Sequence, residues 1–441
     1  MRIEKDKLGE QTLSEDIAYG LQTARAKENF ALGYGKTNLG LIYAIVKIKK
    51  AAALTYIKLG IGSKEGNQFI VQACDQVLAG KQDDQFVVDA LQGGAGTSTN
   101  MNVNEVLANL ALKLSGREYG EYSYIHPLDD VNRGQSTNDV YPTALRIAAI
   151  DLLRDLSEEC AKLQQALQLK ENEFDSIRKL GRTELMDAIP ITLGSEFGAY
   201  AQAIARDRWR IYKVEERLRQ VNIGGTAVGN SSNVDRKYRF GVIEELRTMT
   251  DIGLAVAEYP MDITQNNDVF VEVSGLLKAL AVNLIKIAND LRLMNSGPFG
   301  GFGEIKLAPM QMGSTIMPGK INPVIPEMVM QTGMKVIAND SAISMAAAHG
   351  EFELNAFLPL IADSLLESLS LLKNSVQIFR TKCVDLIEPN PERCEELLNR
   401  SYAFATGYTA KLGYDKVSQV IAEHNGDVEL IKEALMKLSS Y

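Results

Sequence analysis

The chain has 441 residues, of which 46% are apolar and 23% charged. That balance belongs to a globular protein rather than a disordered one, with a length that fits two or three domains or one large helical assembly. Lys and Arg number 47 against 56 Asp and Glu, a net charge of −9 with no long basic run, which argues against a nucleic-acid or anionic-membrane surface and leaves room only for a local pocket for a small anion.

The chain opens on MRIEKDKLGE, charged from the start and without a signal-peptide core. No stretch approaches the ~20 apolar residues of a membrane span. The four cysteines (Cys74, Cys160, Cys383, Cys394) are far apart and form no CxxC pair. A cytoplasmic, reduced protein is expected. Strand patterns are scarce, and Gln85–Val88 is a small hairpin at most.

Helical periodicity predicts a segment over about 141–170 and a long helix from Thr192, an N-cap after Pro190, to about Val221, in which Ile204, Ile211 and Leu218 recur every seven residues. Another helix is read at 234–249. The cleanest pattern follows: Phe270, Val273, Leu277, Leu280, Leu284, Ile287, Leu291 and Met294 alternate steps of three and four. This heptad seam extends roughly 37 Å at 1.5 Å per residue. Leu276, Ile285 and Leu293 widen it, so more than one neighbour has to cover the stripe. A helix of this kind belongs in a bundle, and one shared between subunits explains the extra width. Further helices are read at 323–347 and 351–380. EPNP at 388–391 marks a boundary before a small helical tail. The expected architecture is an all-α, long-helix bundle with an N-terminal domain (1–138), a central bundle (139–388) and a short C-terminal domain (389–441).

Polar, Gly-rich segments interrupt the helices at Gly93–Asn104, Val131–Asp139, Gly181–Ala188, Gly224–Ser232 and Gly313–Pro323, and are read as loops. GSTIMPGK fails the spacing of a phosphate-binding loop, because Ile321 rather than Ser or Thr follows Lys320. GGTAVG lacks the βαβ context of a dinucleotide site. The three histidines (His126, His349, His424) show no metal-ligand spacing and read as polar or capping residues. No GxSxG elbow is present. What the loops share is chemistry for holding a small dianion: hydroxyls at Thr97, Ser136, Thr137 and Thr183, amides at Asn138 and Asn322, and the charge of Lys320. The same residue types also serve as caps and turns.

Four motifs in order resemble the aspartase/fumarase superfamily. They are GAGTSTNMNVNE at Gly94–Glu105, QSTND at Gln135–Asp139, GRTELMDAIPITLG at Gly181–Gly194 and the signature GSTIMPGKINP at Gly313–Pro323. The resemblance extends from about Ile3 to about Thr409. RIEKDKLGE, ENFALGYG, IVKIKKAAA, IANDLRLMNSGP and NPVIPEMV place the chain nearer the aspartate ammonia-lyase branch than the fumarases. The resemblance implies a homotetramer with active sites shared between three chains, acting on a small dicarboxylate without a cofactor or metal. It implies elimination of ammonia from aspartate, or an aspartate-like acid, through an enolate-like intermediate, with Ser314 as base. It further implies that Thr97, Ser136, Thr137 and Thr315 hold the carboxylate that becomes the enolate. Lys320 and Asn322 would hold the other carboxylate, while Asn138 and Thr183 meet the amine. Fumarate hydratase, a lyase of another substituted succinate, and an inactive paralogue are the alternatives.

Departures from the family pattern accompany the match. Glu184 stands where His or Gln usually follows GRT, and the family's partner position is Glu327, so two carboxyls are expected side by side, sharing a proton or receiving a cation. Asp130 replaces a histidine before QSTND, and Phe299 an arginine after SGP.

Overall fold

Helix signals in the sequence are met by caps in the computed structural model, which describes residues 1–440. In chain order the first elements are the hairpin β1 (Arg2–Asp6) and β2 (Gly9–Leu13), then α1 (Leu21–Asn29), α2 (Leu39–Leu59), α3 (Lys64–Leu78) and α4 (Thr97–Leu114). They are followed by α5 (Thr137–Glu173), the hairpin β3 (Arg178–Thr183) and β4 (Met186–Thr192), α6 (Leu193–Leu218) and β5 (Gln220–Val221). Next come α7 (Arg236–Thr250), β6 (Ala255–Val256), α8 (Pro260–Gln265), α9 (Asp268–Met294), β7 (Ile305–Lys306), α10 (Val324–Ala348) and α11 (Leu358–Lys382). The tail holds β8 (Glu388–Pro389), α12 (Pro391–Asn399), α13 (Thr409–Leu412), α14 (Tyr414–Glu423) and α15 (Val428–Ser439). The all-α expectation holds.

Asn38 caps α2 by accepting from Gly40 N (2.8 Å), and Gly60, in the left-handed region, ends it. Ser63, Asp235 and Asp427 cap α3, α7 and α15 in the same way. Thr192 caps α6 through Ser195 N (3.1 Å), as its sequence position suggests.

Two compact units make up the chain. The first comprises Met1–Leu156, Arg210–Lys278 and Lys335–Leu371. In it α2 packs on α3 and α7, and α4 on α3. Helix α4 is buried on every side from Thr99 to Leu112, with Asn100, Asn102, Asn104 and Asn109 among its buried residues. The second unit comprises Ser157–Trp209, Ala279–Met334 and Leu372–Tyr441. Here the β3–β4 hairpin packs on α12, and Ala405, Val417, Val420, Ile431 and Leu435 form a small cluster of the tail. Each heptad position of α9, from Phe270 to Met294, is buried.

Five sequence expectations are corrected, the first being that the segments at 93–104 and 131–139 are loops throughout, since α4 starts at Thr97 and α5 at Thr137. The helix begun at Leu193 stops at Leu218, because residues 220–221 pair in parallel with β6. The last long helix starts at Leu358 rather than 351; Glu351 bridges Leu354, and Pro359 sets the first turn of α11. Asp83–Gln85 forms one 3₁₀ turn instead of a hairpin. Gly181–Ala188 is a hairpin and not a loop: Thr183 faces Met186 across a two-residue turn in which Glu184 (φ 54°) and Leu185 (φ 65°) are both left-handed, the backbone of a type I′ turn without its usual Asn or Gly. Among the described residues, no helix is long and apolar enough to cross a membrane.

Candidate active site

In the first unit, the starts of α4 and α5 meet. Gly96, just before α4, has φ 93°, and a Cβ there would lie 2.2 Å from the Tyr141 ring of α5. Only glycine allows this approach. Thr97 opens α4 and donates its hydroxyl to Gly94 O (2.7 Å). Asn100, one turn on, donates from Nδ2 to Thr137 Oγ1 (3.1 Å) and to Asn132 Oδ1 (3.2 Å). Ser136 Oγ accepts from Asn138 N (3.2 Å). Asn138 donates its Nδ2 to Ala227 O (2.7 Å), and its backbone carbonyl accepts from Asn222 Nδ2 (3.0 Å). The structure thus gathers Ser136, Thr137 and Asn138 on one turn against the glycine loop at 224–229.

Behind that turn lie two buried charged groups. Lys49, on α2, is 1% exposed and donates to Asn132 Oδ1 (2.7 Å) and Gln135 Oε1 (3.0 Å). Burial pulls its pKa down to about 7, against the attraction of Asp139. Asp139 is fully buried and accepts from the N–H groups of Ser136 (3.1 Å), Gly224 (3.1 Å) and Thr226 (2.9 Å). Burial pushes its carboxyl up to about 7, and the backbone donors and Lys49 pull it back. Sequence reading passed over Lys49, Asn100 and Asp139. The signal for Lys49 was its register: it shares the buried face of α2 with Ile45, Ile48 and Ala52, where an unpartnered lysine does not belong.

In the second unit, the signature segment closes on itself. Gly313 N donates to Lys320 O (3.1 Å), and Asn322 Nδ2 donates to Gly313 O (2.8 Å). A Cβ on Gly313 would lie 2.3 Å from Lys320 O, so the closure requires glycine. Ser314 Oγ accepts from Ile316 N (3.1 Å) and Met317 N (2.8 Å). Two N–H groups on one hydroxyl oxygen stabilise negative charge there. Thr315 and Lys320 are exposed, as are Met312 (82%) and Ile316 (86%). Lys320 and Asn322 line a cleft of about 670 Å³ together with Glu327, Arg292 and Lys306.

Glu327 sits on the first turn of α10, with Arg292 Nη2 of α9 at 3.8 Å from its Oε1. Thr183 and Glu184 lie on the exposed turn of the β3–β4 hairpin. The base of that hairpin is fixed by a buried ion cluster, Lys179 with Glu196 (2.8 Å) and Glu304 with both Lys179 and Arg182 (2.9 Å each). Glu327 has Arg292 beside it, and Glu184 is exposed. His126 caps the turn at 127–131, accepting from Leu128 N and Asp129 N at Nδ1 (3.2 Å each), a capping role as read from the sequence.

Residues 9–338 match the pattern of the lyase family. The chain belongs to that family. This lyase is 45% identical over 437 residues to the aspartate ammonia-lyase of a Bacillus species, covering 99% of this chain and 93% of that one. It is 43% identical over 425 residues to the aspartate ammonia-lyase of Helicobacter pylori, covering 96% and 91%. Its fold matches the fumarate lyase:delta crystallin of Brucella melitensis with a TM-score of 0.93 at 43% identity, over 98% of this chain and 95% of that one. It also matches class II fumarase of Schistosoma mansoni with a TM-score of 0.93 at 32% identity, over 98% and 95%. The superfamily resemblance carried by the four motifs is therefore correct, and this lyase is an enzyme on a helical-bundle fold of that type.

Proposed function

We propose that the chain is an ammonia-lyase that converts aspartate, or a close analogue, to fumarate and ammonia, with Ser314 as the base. The observation that carries the reading is its near-full-length likeness to aspartate ammonia-lyases, joined to the two backbone donors on Ser314 Oγ. In this reading the Ser314 oxygen takes the proton from the carbon next to one carboxylate. The electron pair left behind spreads into that carboxylate as an enolate dianion, then forms the double bond as the neighbouring C–N bond breaks and ammonia departs. Ser314 returns its proton to solvent.

Thr97, Ser136, Thr137 and Thr315 hold the enolate carboxylate, and Lys320 and Asn322 hold the other. Asn138 and Thr183 meet the amine, and the carboxylates of Glu184 and Glu327 offset its positive charge. Each tenfold of rate takes about 1.4 kcal/mol of differential stabilisation, so several donors have to act together. The donors come from three chains of a homotetramer built on the central bundle, 139–388, between an N-terminal part (1–138) and a short C-terminal part (389–441). Support for the assembly is the flank of α9, where Leu276, Ile285 and Leu293 are half-buried and Val282 is 52% exposed. Four free, buried cysteines suit a reducing cytoplasm.

Ultraviolet absorbance of the product double bond is the test. Purified protein given aspartate forms fumarate and releases ammonia; formation from malate alone makes it a hydratase, and formation from neither refutes both.

A further inference from the structure

Asp139 takes no part in the chemistry above, yet it is fully buried one residue from a group that chemistry uses. Its Oδ1 accepts from Ser136 N, and its Oδ2 from Gly224 N and Thr226 N. One carboxylate thus joins the first turn of α5 to the 224–229 loop. Thr226 is held at φ 61°, a left-handed backbone that a threonine adopts only when its surroundings enforce it. At the far end of the loop a Cβ on Gly229 would lie 2.5 Å from Met261 Cα, so that end is also fixed.

What this loop presents to the site is the Ala227 carbonyl, 2.7 Å from Asn138 Nδ2. A carbonyl only accepts, so the amide end of Asn138 faces it and the Oδ1 end is left over. That Oδ1 has no donor among the described residues and sits on a partly exposed side chain. An amide oxygen is an acceptor suited to an ammonium with three N–H groups. The NH2 end in the same place would repel it.

We propose that Asp139 is a positioning residue, holding the 224–229 loop so that Ala227 O orients Asn138 and turns its Oδ1 toward the substrate ammonium, which sets a preference for an amine over a hydroxyl. The proposal rests on the ammonia-lyase reading. The groups facing Asp139 are Lys49 and Tyr56 of α2 and Tyr238 of α7. Lys49 is the only cation among them and favours the carboxylate form. Protonating Asp139 turns one acceptor oxygen into a donor and releases an N–H, so the loop loosens as pH falls through about 7.

The experiment compares Asp139→Asn with the wild type by KM for aspartate, competitive inhibition by succinate (which lacks the amine), and hydrogen exchange of the segment 223–229. The expected result is a KM raised about tenfold, a succinate constant moved less than about twofold, and faster exchange confined to the loop. Equal weakening of aspartate and succinate, or unchanged exchange, overturns the proposal. Should the variant not fold, exchange in the wild type decides. Corrected for intrinsic rate, it accelerates in this segment from about pH 8 to about pH 6, and a flat profile overturns the pinning. A wild type that acts on neither aspartate nor malate refutes the lyase reading, and the exchange data then judge the loop separately.

Discussion

In the proposed reaction Ser314 is a neutral hydroxyl asked to remove a proton from carbon, and what the structure offers it is two backbone N–H groups on the oxygen. These stabilise the charged form without a second ionisable partner, and such an arrangement depends on loop geometry more than on side chains. Glu184 is one of the residues where this chain leaves the family pattern, and it lies exposed on a hairpin turn. If it offsets the substrate ammonium, Glu184→Gln raises KM for aspartate by about tenfold and leaves succinate inhibition unmoved, as initial-rate kinetics will show. Lys49 sets a pH dependence of stability. Its folded pKa is lowered from 10.5 to about 7, so the unfolded chain binds the extra proton across that window. Stability from this group is present above it and is lost as pH falls toward about 7. Denaturant titrations across that range should show stability of the wild type rising with pH, and Lys49→Met flattening the rise.

At the scale of elements, the α9 seam was fully legible because a heptad repeat over a long run admits one folded solution. Each of its eight positions is buried. The β3–β4 hairpin was not legible, since Glu184 and Leu185 adopt left-handed conformations that neither residue type announces. The buried ion cluster under Lys179 and Arg182 supplies the fixing that the turn sequence lacks. The extra width of the α9 stripe remains uncovered within one chain, which yields a prediction for the assembly. Val282→Glu, at a half-exposed position, should shrink the particle seen by sedimentation while costing the single chain less than about 1 kcal/mol by chemical denaturation. An unchanged mass would remove Val282 from any subunit contact.

At the scale of the whole molecule, an acidic chain carries a cationic cleft, where Arg292, Lys306 and Lys320 line the wall with a single carboxylate, Glu327. Its charge is of the kind a small anion needs, which a net charge of −9 without a basic run had left room for. The turn at Ser136–Asn138 and the signature loop stood out because hydroxyls, amides and glycines cluster there in unbroken motifs. Asp139 was not, because burial of its charge is a property of the packed helices and not of a local pattern, whereas Lys49 was marked only by its register on the apolar face of α2. The most direct test of the central claim is turnover of aspartate by Ser314→Ala, with succinate affinity measured alongside. The expected result is a rate lower by roughly 10²–10⁴-fold with succinate binding retained. Wild-type turnover in the variant would contradict the assignment of the base.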